Sequence, residues 1–137
     1  MSYRISKSYS WEMGHRISKH QGKCRSPHGH SYFCKIYLKS TDINTDGMVL
    51  DFYQLDLVMK PIIEELDHSF MIYDLDFILM EMFRMKDFKI VNVSFETTAE
   101  NIAKYLYDRI REKINCVHEV CVWETRKGMA SYKVNEA

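Results

Sequence analysis

The sequence predicts a single α+β domain built on antiparallel strands. The chain has 137 residues, a length that suits one hydrophobic core of roughly 100–200 residues. Two segments near the N-terminus alternate apolar and polar residues, as strands do, and later segments repeat apolar residues at helical spacings. Short connections between successive strands favour antiparallel pairing. No repeat or low-complexity linker divides residues 1–137, so we expect one domain.

The first two strands are predicted from a period of two. Apolar residues occupy alternate positions from Tyr3 to Met13, and His15 ends this strand on the parity of its apolar face. A second strand opens at His28 and continues the same alternation to Leu38. A polar loop over residues 16–27, rich in Gly, Ser, Lys and Pro, joins the two strands and makes a hairpin the expected arrangement.

The helices are predicted from spacings of three and four. A polar turn over residues 41–47 precedes an amphipathic helix over residues 52–66, with Asp51 and Gln54 as a capping pair and Pro61 as an expected kink or break. A short helix is predicted over residues 75–83. A capping box formed by Thr97 and Glu100 starts a third helix. Further strands are predicted over residues 88–93, 117–123 and 130–134.

Composition excludes several classes of protein. The 18 aromatic residues supply ample surface to bury, which argues against intrinsic disorder. No apolar run approaches the roughly 20 residues of a membrane span, and the N-terminal residues lack the apolar core of a signal peptide. The 19 basic residues balance 19 acidic ones, so there is no global case for nucleic acid or membrane as a partner. We therefore expect a cytoplasmic protein.

The neutral total conceals an uneven distribution of charge. Residues 13–41 contain six basic residues and no acid, whereas residues 42–87 contain 11 acids against three basic residues, a net of −8. One interpretation is two solvated faces that cancel in the fold. The other is a local anion site, in which basic residues such as Lys23 and Arg25 would face a polyanionic substrate.

Three histidines form the strongest chemical pattern. His28 and His30 share one face of the second strand, and hairpin pairing would bring His15 beside them. Three neutral imidazoles on a rigid sheet suit zinc and leave a fourth position open, as in catalytic sites. The alternative is that His28 and His30 only form hydrogen bonds within a turn. We interpret the more distant His20 and His118 as surface or core histidines.

The four cysteines lack CxxC spacing, and a reducing compartment is expected. Cys34 and Cys121 lie in apolar segments and read as core residues, and Cys116 has no distinctive context. Cys24 lies between Lys23 and Arg25, which favour its thiolate. It could act as a nucleophile or base, serve as a fourth metal ligand, or be an ordinary thiol.

Two further acidic positions have ambiguous patterns. Asp67 beside His68 suits proton transfer, because a neighbouring acid sets the tautomer and pKa of an imidazole. The attraction of a helix C-terminus for a histidine explains the pair nearly as well. Glu124 is either a solvent-facing charge or an acceptor for the paired N–H groups of a planar, guanidine-like ring.

Six segments carry a resemblance to a known family. In chain order they are His15-Arg16, Cys24-x3-His28-Gly29-His30, Asp51-Phe52 with Leu55, Leu66-Asp67-His68, Thr98-Ala99-Glu100-Asn101 and Trp123-Glu124-Thr125. Together they resemble the 6-pyruvoyltetrahydropterin synthase / 6-carboxytetrahydropterin synthase family. The resemblance implies a tunnelling fold (T-fold), in which an antiparallel sheet carries helices on one face. Three subunits would close a barrel, and two trimers would stack into a homohexamer.

The resemblance also implies roles for single residues. Zinc would be held by His15, His28 and His30. Cys24 would be the general base, and Asp67 with His68 would be the second proton-transfer group. Glu124, helped by Thr98, would anchor the pterin ring of 7,8-dihydroneopterin triphosphate.

The spacing of Cys24 separates the branches of that family. Three residues separate Cys24 from His28-Gly29-His30, which is typical of the 6-carboxy branch of queuosine and 7-deazaguanine synthesis. The 6-pyruvoyl branch typically has five residues between its cysteine and this motif. The sequence therefore favours a zinc-dependent 6-carboxytetrahydropterin synthase, a lyase without an organic cofactor. The alternatives are the 6-pyruvoyl enzyme, a non-catalytic pterin- or purine-binding protein, and a zinc hydrolase.

Overall fold

A computed structural model describes residues 1–84 and 86–135 of the chain. The described residues form six strands, three α-helices and a short 3₁₀ helix over Lys23–Arg25. In chain order the main elements are β1 (Tyr3–His15), β2 (His28–Ser40), α1 (Phe52–Leu66), β3 (Ser69–Tyr73), α2 (Phe77–Arg84), β4 (Ile90–Val93), α3 (Ala99–Arg111), β5 (Val117–Thr125) and β6 (Gly128–Lys133). The predicted α+β class is confirmed. None of these helices has the length and apolar content needed to cross a membrane.

All six strands belong to one sheet in the order β4-β3-β1-β2-β5-β6. The pairs β1/β2, β2/β5 and β5/β6 are antiparallel, as predicted. The pairs β1/β3 and β3/β4 are parallel, and the pattern of residues did not predict β3 at all. β3 has buried residues on both of its faces, so it has no alternation of apolar and polar residues to detect.

The register of the β1/β2 hairpin positions the site. Trp11 pairs with Tyr32, Met13 with His30 and His15 with His28. The rings of Trp11 and Tyr32 stack with their centroids 5.2 Å apart, and both side chains belong to the buried core. α1 and α3 contribute their apolar stripes to this same core, so both helices pack on the sheet face that carries the histidines. His15 therefore continues the buried core surface, with the half-buried His28 and His30 beside it.

The helix caps were predicted with mixed success. Asp51 caps α1 by accepting a hydrogen bond from the Tyr53 N–H at 2.9 Å, and α1 continues through Pro61 to Leu66. The predicted capping box at Thr97 is wrong, because Thr98 is the N-cap of α3 and accepts from the Asn101 N–H at 3.2 Å. Thr97 is instead fully buried beside the end of β1.

Candidate active site

His15, His28 and His30 converge at the open end of the β1/β2 hairpin. Their ring centroids are 4.7 Å (His15 to His28), 5.3 Å (His15 to His30) and 4.8 Å (His28 to His30) apart. One ring nitrogen from each residue lies within 4.8 Å of those of the other two. The hairpin register thus brings together the three residues that the sequence pattern selected, and this group could hold a metal ion.

Main-chain carbonyls fix the proton on two of these rings. His15 Nδ1 lies 2.7 Å from the Thr97 carbonyl oxygen, and His28 Nδ1 lies 2.7 Å from that of Ser26. A carbonyl only accepts, so Nδ1 carries the proton in each ring and the lone pair is assigned to Nε2. A metal-binding histidine has this arrangement, in which its other N–H is donated to a neighbouring group.

Burial keeps two of the rings uncharged. It lowers the pKa of His15 to about 4, and the nearby His28 and His30 add to this effect. Burial, followed by the charge of His28, also lowers the pKa of His30. The buried Nε2 atoms of both rings have no hydrogen-bond partner among the described residues. The carbonyl contacts account for the Nδ1 atoms of His15 and His28, but the buried Nε2 atoms of His15 and His30 stay without a partner, so the donor set fits a metal ion.

Tyr32 is part of the site although the sequence analysis did not select it. Its ring meets those of His15 and His30 edge-on, with centroids 5.9 Å and 5.4 Å apart. Burial raises the pKa of Tyr32, and the charges of Glu124 and Cys24 raise it further. Glu124 and Cys24 are therefore close enough to influence the Tyr32 hydroxyl electrostatically. The sequence could have indicated this place for Tyr32, because Tyr32 follows His30 by two residues and so lies on the same strand face.

Cys24 is half-buried in the 3₁₀ helix between β1 and β2. Its carbonyl oxygen accepts a hydrogen bond from the Ile17 N–H at 2.8 Å, which folds the loop back on itself. The flanking Lys23 and Arg25 are exposed. The thiol is thus partly accessible, with an exposed cationic residue on either side of it in the sequence.

Glu124 lies at the end of β5 near the histidines. Its Oε2 is 3.3 Å from His30 Nε2, without the geometry of a hydrogen bond. Burial raises the pKa of this carboxyl group. Glu124 also lines a cavity of about 380 Å³ with Ala99, at the start of α3, and Met129, on β6. Thr98 precedes Ala99 in the chain. Its hydroxyl oxygen accepts the N–H of Asn101 that it caps at the start of α3, so its own O–H is free to donate.

Asp67 and His68 follow α1 directly. Asp67 Oδ1 accepts the Glu12 N–H at 2.8 Å, and Oδ2 lies 2.9 Å from His68 Nδ1. The Glu12 N–H and the His68 ring keep the pKa of Asp67 below its usual range. His68 has a left-handed backbone with φ 58° and donates its own N–H to the Glu12 carbonyl at 2.6 Å. The Lys89 Nζ donates to the Asp67 carbonyl oxygen at 2.6 Å. These contacts hold the pair rigidly.

This pair is not joined to Cys24 within one chain. In the described ranges, no hydrogen bond or ion pair connects Asp67 or His68 with Cys24. His68 lines a cleft of about 370 Å³ with Glu12 and Ser31, and His30 also borders this cleft. Glu12 and Ser31 alternate with the core residues of their strands, so their side chains point to the opposite face of the sheet from Tyr32. The structure therefore divides the selected residues between two faces.

Arg16 belongs to the basic residues of segment 13–41, but its side chain forms a salt bridge with Asp76 of the same chain. Its Nε and one terminal nitrogen donate to the two carboxylate oxygens of Asp76 at 2.7 Å and 2.6 Å. The side chains are only 10% and 2% exposed. The contact with Asp76 raises the pKa of Arg16. Part of the positive charge at residues 13–41 is therefore neutralised inside the fold, and Lys23 and Arg25 remain as exposed candidates for anion binding.

Removing Asp76 should destabilise the protein strongly. Asp76→Ala leaves the Arg16 guanidinium buried without its partner, a change that costs about 3–5 kcal/mol of unfolding free energy. As a matched control, Asp108→Ala breaks the exposed pair with Lys104 and should cost less than about 0.5 kcal/mol. Urea denaturation of both variants measures the difference. Equal, small losses would show that the Arg16–Asp76 pair does not stabilise the fold.

Comparison with known proteins places this site in a family. The profile described as 6-pyruvoyl tetrahydropterin synthase matches residues 4–135. The chain belongs to the 6-pyruvoyl tetrahydropterin synthase family. Among relatives in this family, the 6-carboxy-5,6,7,8-tetrahydropterin synthase of Aquifex aeolicus is 32% identical, with 97% of this chain and 99% of the relative covered. The enzyme of the same name from Haemophilus influenzae is also 32% identical, with 96% and 99% covered.

Solved structures share the fold of this chain. An uncharacterized protein from Wolinella succinogenes superposes with a TM-score of 0.88 at 24% identity, covering 98% of this chain and 99% of its own. The 6-pyruvoyl tetrahydropterin synthase of Caenorhabditis elegans superposes with a TM-score of 0.76 at 24% identity, covering 98% and 97%. The T-fold expected from the sequence resemblance is confirmed by these likenesses.

Proposed function

We propose that this chain is a zinc-dependent 6-carboxy-5,6,7,8-tetrahydropterin synthase. It would convert 7,8-dihydroneopterin triphosphate and water to 6-carboxytetrahydropterin, acetaldehyde and triphosphate, for queuosine and 7-deazaguanine synthesis. The observation that carries this proposal is the convergence of His15, His28 and His30, with the buried Nε2 atoms of His15 and His30 unpaired and Cys24 three residues before His28. The relatives named 6-carboxytetrahydropterin synthase support this choice of branch.

In this proposal the metal ion is zinc, held by His15, His28 and His30. Bound zinc supplies Lewis-acid chemistry, which acidifies hydroxyl groups of the substrate side chain. The Thr97 and Ser26 carbonyls orient His15 and His28, so these two ligands are preorganised for metal binding. Three protein ligands leave a position open, which catalysis requires.

The protein groups divide the remaining work. The thiolate of Cys24 removes a carbon-bound proton beside the pterin ring, helped by the positive charges of Lys23 and Arg25. Glu124 accepts the paired N–H groups on the edge of the pterin ring, and Thr98 assists by donating its hydroxyl hydrogen. His68 serves as the second proton-transfer group. Asp67 accepts its Nδ1–H and so leaves Nε2 able to take or give a proton.

The placement of Asp67 and His68 supports a shared site. These two residues lie over the opposite sheet face from Tyr32, so another copy of the chain is needed to bring such a pair to Cys24. We therefore propose a homo-oligomer, a hexamer of two stacked trimers. The four cysteines are free thiols, which fits an enzyme of the reducing cytoplasm.

Product analysis tests the proposed reaction. The zinc-loaded protein is incubated with 7,8-dihydroneopterin triphosphate, and acetaldehyde and the pterin product are quantified. We expect equal amounts of acetaldehyde and 6-carboxytetrahydropterin. A 6-pyruvoyl product without acetaldehyde would move the protein to the other branch. Binding without turnover at full zinc occupancy would identify a pterin-binding protein instead.

The two exposed cations beside Cys24 should contribute to triphosphate binding. Charge reversal by Lys23→Glu with Arg25→Glu should raise KM at least about tenfold, since one hydrogen bond to a charged group contributes about 1.5–3 kcal/mol. Steady-state kinetics measures this effect. Lys113→Glu, an exposed reversal after α3, is the control. An unchanged KM in the double variant would remove Lys23 and Arg25 from the substrate site.

A further inference from the structure

Glu96 makes a two-point contact with the loop that carries Cys24, defined here as the Cys24 loop (residues 16–27). Its Oε1 accepts the main-chain N–H of Ser18 at 3.0 Å, and its Oε2 accepts the Ser18 hydroxyl at 2.8 Å. Both side chains are half-buried. Both carboxylate oxygens are thus used on one residue of the loop, a geometry that restricts rotation as well as distance.

Glu96 is itself held firmly. Its main-chain carbonyl accepts hydrogen bonds from the Asn101 side-chain amide at 2.9 Å and from the Thr98 N–H at 2.8 Å, which attach it to the start of α3. The next residue, Thr97, accepts His15 Nδ1–H and donates its hydroxyl to the Arg16 carbonyl at 2.9 Å. Two consecutive residues therefore hold both a candidate metal ligand and the Cys24 loop.

The contact at Ser18 is transmitted to Cys24 through the loop itself. Ile17 N–H donates to the Cys24 carbonyl at 2.8 Å, and His20 N–H donates to the Ile17 carbonyl at 3.0 Å. Gly22 N–H donates to His20 Nδ1 at 2.8 Å. Because these bonds cross the loop, fixing Ser18 also restricts the 3₁₀ turn in which Cys24 lies.

We propose that Glu96 is a positioning residue that acts through Ser18 to hold the Cys24 thiol beside the histidine trio. This inference rests on the proposed function, in which Cys24 is the general base. Loss of the contact leaves the metal ligands in place and frees the Cys24 loop to open locally. The expected consequence is a thiol that is more accessible to reagents and less well aligned for proton removal.

Thiol alkylation of the zinc-loaded protein tests this proposal without substrate. The rate at which iodoacetamide modifies Cys24 is followed by peptide mass spectrometry, which separates it from Cys34, Cys116 and Cys121. Glu96→Ala and Ser18→Ala should each raise that rate at least about threefold, with zinc content unchanged. Ser18→Thr, which keeps a hydroxyl, should restore the wild-type rate. The Ser18→Ala/Glu96→Ala double variant should show no further increase over Glu96→Ala, since Glu96→Ala already removes both bonds to Ser18.

Kinetics provides a second readout, and Glu65→Ala is the matched control. Glu65 is also an acidic residue with a long-range partner, Arg109, but lies away from the Cys24 loop. In Glu96→Ala we expect kcat to fall about tenfold with KM changed less than about twofold, whereas Glu65→Ala should resemble the wild type. An unchanged alkylation rate in Glu96→Ala, additive effects, or an equal effect of Glu65→Ala would overturn the proposal. If the wild type makes no product, the proposed function fails while the alkylation rates still decide the role of Glu96.

Discussion

Cys24→Ala is expected to remove nearly all synthase activity, lowering kcat by about 10²–10⁴-fold, while zinc stays at about one ion per chain. Alanine has no group that can take the carbon-bound proton. The three histidines, and the carbonyl partners of His15 and His28, are untouched by the change. Steady-state turnover of 7,8-dihydroneopterin triphosphate, measured together with metal content, checks both halves of this expectation.

Cys116→Ala is the matched control for that experiment. Cys116 is also a half-buried free thiol, but it lies just before β5, and its replacement should leave turnover near the wild-type value. Undiminished metal-dependent turnover of Cys24→Ala would favour a hydrolase that uses a metal-bound water. Loss of the metal in Cys24→Ala would instead show that Cys24 is a ligand.

His28→Ala and His30→Ala are each expected to reduce the metal content from about one ion per chain to below about 0.1 after dialysis. Each substitution removes one of the three converging imidazole ligands. The two that remain bind zinc more weakly than three, so zinc is lost to the solvent during dialysis. Activity should fall in parallel with the metal. Inductively coupled plasma mass spectrometry of the dialysed variants measures the metal content.

The control for the ligand variants is His118→Ala, because His118 lies on β5 outside the histidine trio. It should retain the metal and the activity of the wild type. Stoichiometric metal in His28→Ala or His30→Ala would refute the ligand assignment. A loss of metal in His118→Ala as well would point to general unfolding rather than to loss of a ligand.

The histidine trio could be predicted because it depends on local rules. A strand places residues two apart on one face, and a hairpin returns its second strand beside its first, so His15, His28 and His30 had to meet. The partner of His15 could not be predicted in this way. Thr97 is 82 residues away, and its spacing from Glu100 predicts a capping box, whereas the N-cap of α3 is Thr98. Tertiary burial of Thr97 decided between them.

The neutralisation of Arg16 and the order of the strands were also hard to predict, because both depend on partners that are distant in the sequence. Arg16 counts as positive in any local sum, yet its partner Asp76 lies 60 residues further along the chain. Parallel pairing of β3 with β1 also depends on a crossover that local patterns do not show. The placement of His68 beside Glu12 of β1 also follows from that connection.

The X-ray absorption spectrum of the zinc-loaded wild-type protein, recorded at the zinc K edge, reports the ligands of the metal directly. With His15, His28 and His30 as the only protein ligands, the fit requires three nitrogen donors at about 2.0–2.1 Å, a further light atom in the open position, and no sulfur. A sulfur shell at about 2.3 Å would contradict this result, because Cys24 would then close the metal shell and could not act as the base.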